Sequence, residues 1–140
     1  MTAANNAQRK MQPRVKLGAK FLDENVPGWD KRININTLRL SSGKSCICGQ
    51  VFRKRAWYWR NKAKKKSKTF IANDLNGYDY ALNHLFAEAN SWVEKLVPKG
   101  FYGRALTVGR VLGFDVYQDE YYSDLQKVWV DFLKERAAAT

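Results

Sequence analysis

Residues 121–136, YYSDLQKVWVDFLKER, decide the fold class. Tyr121, Leu125, Val128, Trp129, Phe132 and Leu133 recur at intervals of three and four, a stripe that closes on one face of a helix and on neither face of a strand. Asp119 and Glu120 stand where that helix begins and Lys134 and Arg136 where it ends, the polarity that suits the helix dipole. Working back, Phe101, Ala105, Val108 and Leu112 predict a shorter helix, and Gly113 suits the left-handed geometry of its C-cap. Further back, Leu82, Leu85, Ala89, Val93 and Leu96 follow Tyr78 at the same spacing and predict one continuous helix over 78–96. Asp74 or Asn76 would cap it, and Pro98 and Gly100 would stop it. The expected fold is therefore mainly α, a small single-domain helical protein.

The first half is less regular. A helix starting near Ser45 carries Ile47, Val51 and Phe52, after a turn at Ser41-Ser42-Gly43. Ile33, Ile35, Leu38 and Leu40 read as an extended piece plus a turn, and Trp29 as a plug into the core. Pro27-Gly28 ends a weak helix over 17–25 with Phe21 and Leu22 inward. Residues 1–16 are polar and hold Arg9, Lys10, Arg14 and Lys16 with no acid, so they are expected to form a flexible basic arm. The helical domain then spans 17–137, with an insertion over 53–73 and a frayed tail at 138–140.

The 140 residues are 45% hydrophobic and 14% aromatic, enough for a core in one domain. No apolar run approaches the roughly 18 residues that cross a bilayer, and no apolar stretch follows the cations of residues 1–20 as in a secretory leader. A cytoplasmic protein without a membrane partner is expected. Charge is uneven. Residues 1–68 hold 18 Lys and Arg against three Asp and Glu, a formal +15, and residues 69–140 hold seven against ten, a formal −3. Such asymmetry calls for an anionic partner on the first half: nucleic acid, a ribonucleoprotein such as the ribosome, or an acidic protein.

The charge peaks in residues 53–68, RKRAWYWRNKAKKKSK, where nine of sixteen are Lys or Arg and none is acidic. Arg53, Lys54, Arg55, Arg60, Lys62, Lys64, Lys65, Lys66 and Lys68 supply phosphate-neutralising cations, and Trp57 an aromatic face for stacking. Two geometries fit. On a helix, Cys48, Phe52, Ala56, Trp59 and Ala63 share the apolar stripe, which buries Trp59 and leaves Trp57 among Arg53, Arg60 and Lys64. On a strand, Arg53, Arg55, Trp57 and Trp59 share a face, and a hairpin would return through Thr69, Phe70 and Ile71. The Ala and Lys content favours the helix. A solvated basic loop is the plainer alternative.

Several short strings occur in a telling order: Pro27-Gly28-Trp29; Cys46-Ile47-Cys48-Gly49-Gln50-Val51-Phe52; Gly77-Tyr78; Leu112-Gly113-Phe114-Asp115; and Tyr122-Ser123-Asp124-Leu125 leading to Trp129. Over residues 22–136 this order resembles a group of small uncharacterised open reading frames of actinobacterial phages and prophages. The resemblance implies a phage origin and no mechanism. The chain departs from the group's pattern at 53–73, which stands in place of a short turn, and around 92–99.

Catalytic and metal-binding signals are weak. Cys46 and Cys48 with the single His84 fall short of the four ligands of a closed zinc site, and nothing orients a Cys46–His84 pair. Asp115, Asp119, Glu120 and Asp124 are explained by capping and the helix dipole, and no phosphate-cradling glycine loop is present. No enzyme activity and no cofactor are expected. The leading expectation is a phage accessory protein that binds DNA or RNA through 53–68 and the arm. A modulator of a host protein and a virion component stand behind it.

Overall fold

The computed structural model describes residues 3–66 and 75–139, and among these it contains helices and turns but no strand. The helix read from residues 121–136 runs over Tyr122–Ala138 (α7), and Leu125 and Trp129 on its stripe are fully buried. Trp129 stacks on Phe114, meets Trp29 edge-on, and donates from Nε1 to the Gly113 carbonyl at 2.6 Å. Gly113 has φ 74°, the left-handed value its glycine predicts. Trp29 is the core plug expected of it, with its indole N–H on Asp23 Oδ1 at 2.8 Å.

Residues 6–16 are not a flexible arm. They form the first half of α1, Asn6–Asn25. The Asn5 side chain accepts from the Gln8 amide at 2.8 Å and the Gln8 side chain accepts from the Asn5 amide at 3.1 Å, a reciprocal N-terminal cap. Met11, Val15, Ala19 and Leu22 then recur at helical spacing and are buried, and α1 packs along α7 and against α6. Burying this stripe outweighs the backbone bond that Pro13 cannot make.

Between α1 and α2 the chain makes two short 3-10 turns, Trp29–Arg32 and Ile35–Thr37, in place of a simple extended piece. The Gln50 side chain anchors them, accepting from the Asn34 amide at 2.7 Å and donating to the Ser45 carbonyl at 3.0 Å. Helix α2, Ile47–Val51, is capped by the Cys46 thiol, which accepts from Gly49 N at 3.3 Å. Phe52 (φ −104°, ψ 17°) joins it to α3, Arg53–Lys66. The insertion is thus a helix up to residue 66. Residues 69–71 of the hairpin alternative, like Asp74, Lys68 and the terminal Thr140, lie outside the described residues.

The continuous helix expected over 78–96 is broken. Asn76 caps α4, Gly77–Ala81, which widens into one π turn, Leu82–Phe86, closed by Ala87 N on the Leu82 carbonyl at 3.2 Å. The chain then reverses through Ser91, which holds φ 58°, into α5, Trp92–Leu96. Arg104, the first residue of α6 (Arg104–Val111), explains the break. Its buried guanidinium donates to the carbonyls of Phe86, Ala87, Ala89 and Val97. Those carbonyls lie where the regular helical ladder stops and are satisfied by the guanidinium, the Phe86 carbonyl also accepting from Ala89 N at 3.4 Å. Phe101, expected within this helix, precedes it and is exposed.

Helices α2 and α4 meet with almost no gap. A Cβ on Gly77 would lie 2.5 Å from the Cys48 carbonyl oxygen, and one on Gly49 would lie 2.5 Å from the Gly43 carbonyl oxygen. Both helices also carry α3, which packs on α2 and α4. No helix among the described residues is long and apolar enough to cross a membrane.

Candidate nucleic-acid interface

The apolar stripe of α3 follows the helical reading for its first turns. Phe52 and Ala56 are buried, continuing the line from Cys48. Trp59 departs from the expectation. It is half-buried, edge-on to Tyr80 at 6.1 Å and to His84 at 4.8 Å, because the segment beneath it is the short α4 and π turn. On the far side Trp57 is 49% exposed and Tyr58 59%, packed edge to face with centroids 4.9 Å apart.

Around them Arg53, Lys54, Arg55 and Lys62 are exposed and Arg60 is half-buried. Among the described residues none of these five cations has a carboxylate within ion-pair distance. Lys64, Lys65 and Lys66 continue the helix, with side chains outside the described set. Trp57 lies between two grooves. One is lined by Arg32, Val51, Arg53, Arg55, Trp57 and Tyr58, the other by Lys44, Ser45, Arg53, Trp57, Arg60 and Asn76. Sequence reasoning missed Arg32 and Lys44, because both lie outside the basic run and only the fold brings them to α3. Arg32 is set there by a bond from its guanidinium to the Val51 carbonyl at 3.2 Å, at the end of α2.

The residues expected of an arm are not gathered with α3. Arg9, Lys10 and Lys16 are exposed on α1, whose packing neighbours are α7 and α6. Arg14 is engaged within the fold. Its Nη1 pairs with Glu120 at 2.7 Å, and its other nitrogens donate to the Arg110 and Asp115 carbonyls, each at 2.9 Å.

The remaining reactive side chains are occupied structurally. Burial pushes the Cys46 thiol up to about 11 and raises Cys48 as well, so neither is a thiolate near neutral pH. His84 is exposed, stacked on Tyr80 at 4.4 Å with Nδ1 at the Tyr80 carbonyl. Asp115 accepts from the Tyr122 and Tyr78 hydroxyls, Glu120 pairs with Arg14, and Asp124 accepts from Asn5 and Gln8. A pocket between the end of α1 and residues 84–93 is lined by Glu24 and Glu88 beside Trp92, a charge that suits no phosphate. No family model, curated protein or solved structure matches the chain.

Proposed function

We propose that the protein is a small phage accessory protein that binds nucleic acid in the cytoplasm of the host, through phosphate contacts and aromatic stacking, with no catalytic step of its own. The observation that carries this reading is α3: a helix whose described cations have no carboxylate partner among the described residues, with an exposed Trp57–Tyr58 pair among them. Phosphates meeting cations that no acid neutralises lose their counterions, which makes binding strong at low salt and indifferent to sequence. Arg53, Lys54, Arg55, Arg60 and Lys62 are assigned to phosphate contact, together with the run from Lys64 to Lys68.

The test is a titration of mixed-sequence DNA and RNA across salt. With roughly six to ten phosphates neutralised, affinity falls about 10³–10⁵-fold between about 50 and 200 mM salt. A flat response, or no binding at the low end, rejects the reading.

One observation favours a second reading, a protein that binds and modulates a host protein. Leu96, Phe101, Tyr102 and Leu106 are all exposed within eleven residues of chain in the acidic half, and Tyr102 is 99% exposed. An apolar patch built from such side chains is the kind of surface that a protein partner covers. A third reading, a virion component touching packaged DNA, shares the chemistry of the first.

A further inference from the structure

We infer that the ligand of the α3 surface is an unpaired strand rather than a duplex, and that Arg32 and Lys44 hold its phosphates on opposite sides of Trp57. This rests on the nucleic-acid reading and sharpens it to a ligand class.

Helices that enter the major groove need only hydrogen-bonding side chains such as Arg, Lys, Asn or Gln at the base edges. Beside its exposed Arg and Lys, the middle of α3 also presents Trp57 and Tyr58, whose rings meet edge to face at 81° and are about half exposed. An aromatic face gains from a nucleic acid by stacking on a base, and in a duplex the faces of the bases are already covered by their neighbours. An unpaired strand offers them freely.

The cations are placed to match. Trp57 is shared by the two grooves, with Arg32 and Arg55 on one side and Lys44 and Arg60 on the other, while Arg53 borders both. A strand laid across the helix sets a base on Trp57 and passes its backbone through a basic groove before and after that base. Arg32 and Lys44 come from outside the basic run, so the track is wider than α3 alone.

The experiment compares an oligothymidine of about twelve nucleotides, within the site size of single-strand binders, with a duplex of the same length. Each is fluorescently labelled and titrated at about 50 mM salt with the full chain and with Trp57→Ala, Trp57→Phe, Arg32→Gln and Lys44→Gln. Thermal melts of each variant establish that it is folded. The oligothymidine is expected to bind at least about tenfold more tightly than the duplex. Trp57→Ala weakens its binding about 5- to 150-fold and leaves duplex binding unchanged, while Trp57→Phe keeps most of the affinity. Arg32→Gln and Lys44→Gln each reduce the single-strand salt slope by about 0.7. Duplex binding as tight as single-strand binding, with Trp57→Ala silent on both, overturns the inference and leaves the nucleic-acid reading standing. Unchanged salt slopes in both Gln variants overturn the placement of Arg32 and Lys44. Binding to neither oligonucleotide removes the nucleic-acid reading and this inference with it, and leaves the protein-partner reading in its place.

Discussion

Helices α3 and α7 both carry tryptophan and several cations, and the fold uses them in opposite ways. On α7, Trp129 is fully buried, Lys127 pairs with Asp131 at 2.6 Å, and Arg136 binds Asp23 at 2.6 Å and Asp30 at 2.9 Å. On α3, Trp57 faces outward and the described cations have no acidic partner. The difference lies in what each helix packs against. Helix α7 runs along α1, whose Asp23 and neighbouring Asp30 meet its Arg136, and supplies Asp131 to Lys127 itself, whereas α3 has no acid of its own and rests on α2 and α4 by a narrow stripe at Phe52 and Ala56. The same residue types therefore serve as internal fastening on α7 and as presented surface on α3.

That contrast can be broken by substitution, beginning where the loss is greatest. Trp129→Ala is expected to cost about 3–5 kcal/mol in chemical denaturation, because it empties a fully buried ring site and removes the bond to Gly113. Nucleic-acid affinity should be unchanged under conditions where the variant remains folded. A smaller stability loss than that of Trp57→Ala would reverse the roles assigned to the two helices.

Arg14→Met should destabilise by about 1.5–3 kcal/mol, as it deletes a part-buried ion pair and two bonds to carbonyls. The salt slope of nucleic-acid binding should not move. A shallower slope would return Arg14 to the interface.

The fastening of α7 also has a pH signature. The hydrogen-bonded Arg136 guanidinium holds the Asp23 carboxyl below its ordinary value of 3.8. A carboxyl with a lowered folded-state pKa stabilises fully above its ordinary value and loses that contribution as pH falls through the folded value. Both side chains are substantially exposed, so solvent screening limits the effect to under about 1 kcal/mol. The stability gap between wild type and Arg136→Met should be present near neutral pH and shrink as pH falls below about 4. A gap that is constant with pH would mean that Arg136 acts through packing on Trp29 instead.

The smallest effect on stability belongs to α3. Replacing Arg53, Arg55 and Arg60 together with Gln should change the unfolding free energy by no more than about 0.5 kcal/mol per site. The same variant should lower the salt slope of binding by about 2–3. A large drop in melting temperature would show that these cations hold the fold together.

How much of this could be read in advance depended on the range of the interactions involved. The α7 stripe, Trp29 and Gly113 were legible because burial at helical spacing and a left-handed cap are local signals. Helix α3 was legible as a helix from its stripe, yet Trp59 was placed too deep, since its exposure depends on the length of the segment below. The helix over 78–96 misled because its interruption is enforced by Arg104, which is distant in sequence and carries no signature of its own. For α1 the signal was present: Asn5 with Gln8, then Met11, Val15, Ala19 and Leu22. The charge of Arg9, Lys10, Arg14 and Lys16 drew the reading toward an arm, although a buried stripe and a basic outer face coexist on one helix. Arg32 and Lys44 could not have been assigned to the interface before the chain was folded.

The backbone contact between α2 and α4 makes α3 a cantilever clamped at its root. At Gly77, against the Cys48 and Gly49 backbone, there is no room for even one added methyl group, so the clamp has no slack. Fourteen helical residues extend about 21 Å from that root, so a tilt of about 10° at the clamp would swing the tip by about 4 Å. An alanine at position 77 would therefore act as a shim: without touching one basic side chain of α3, it would re-aim them all.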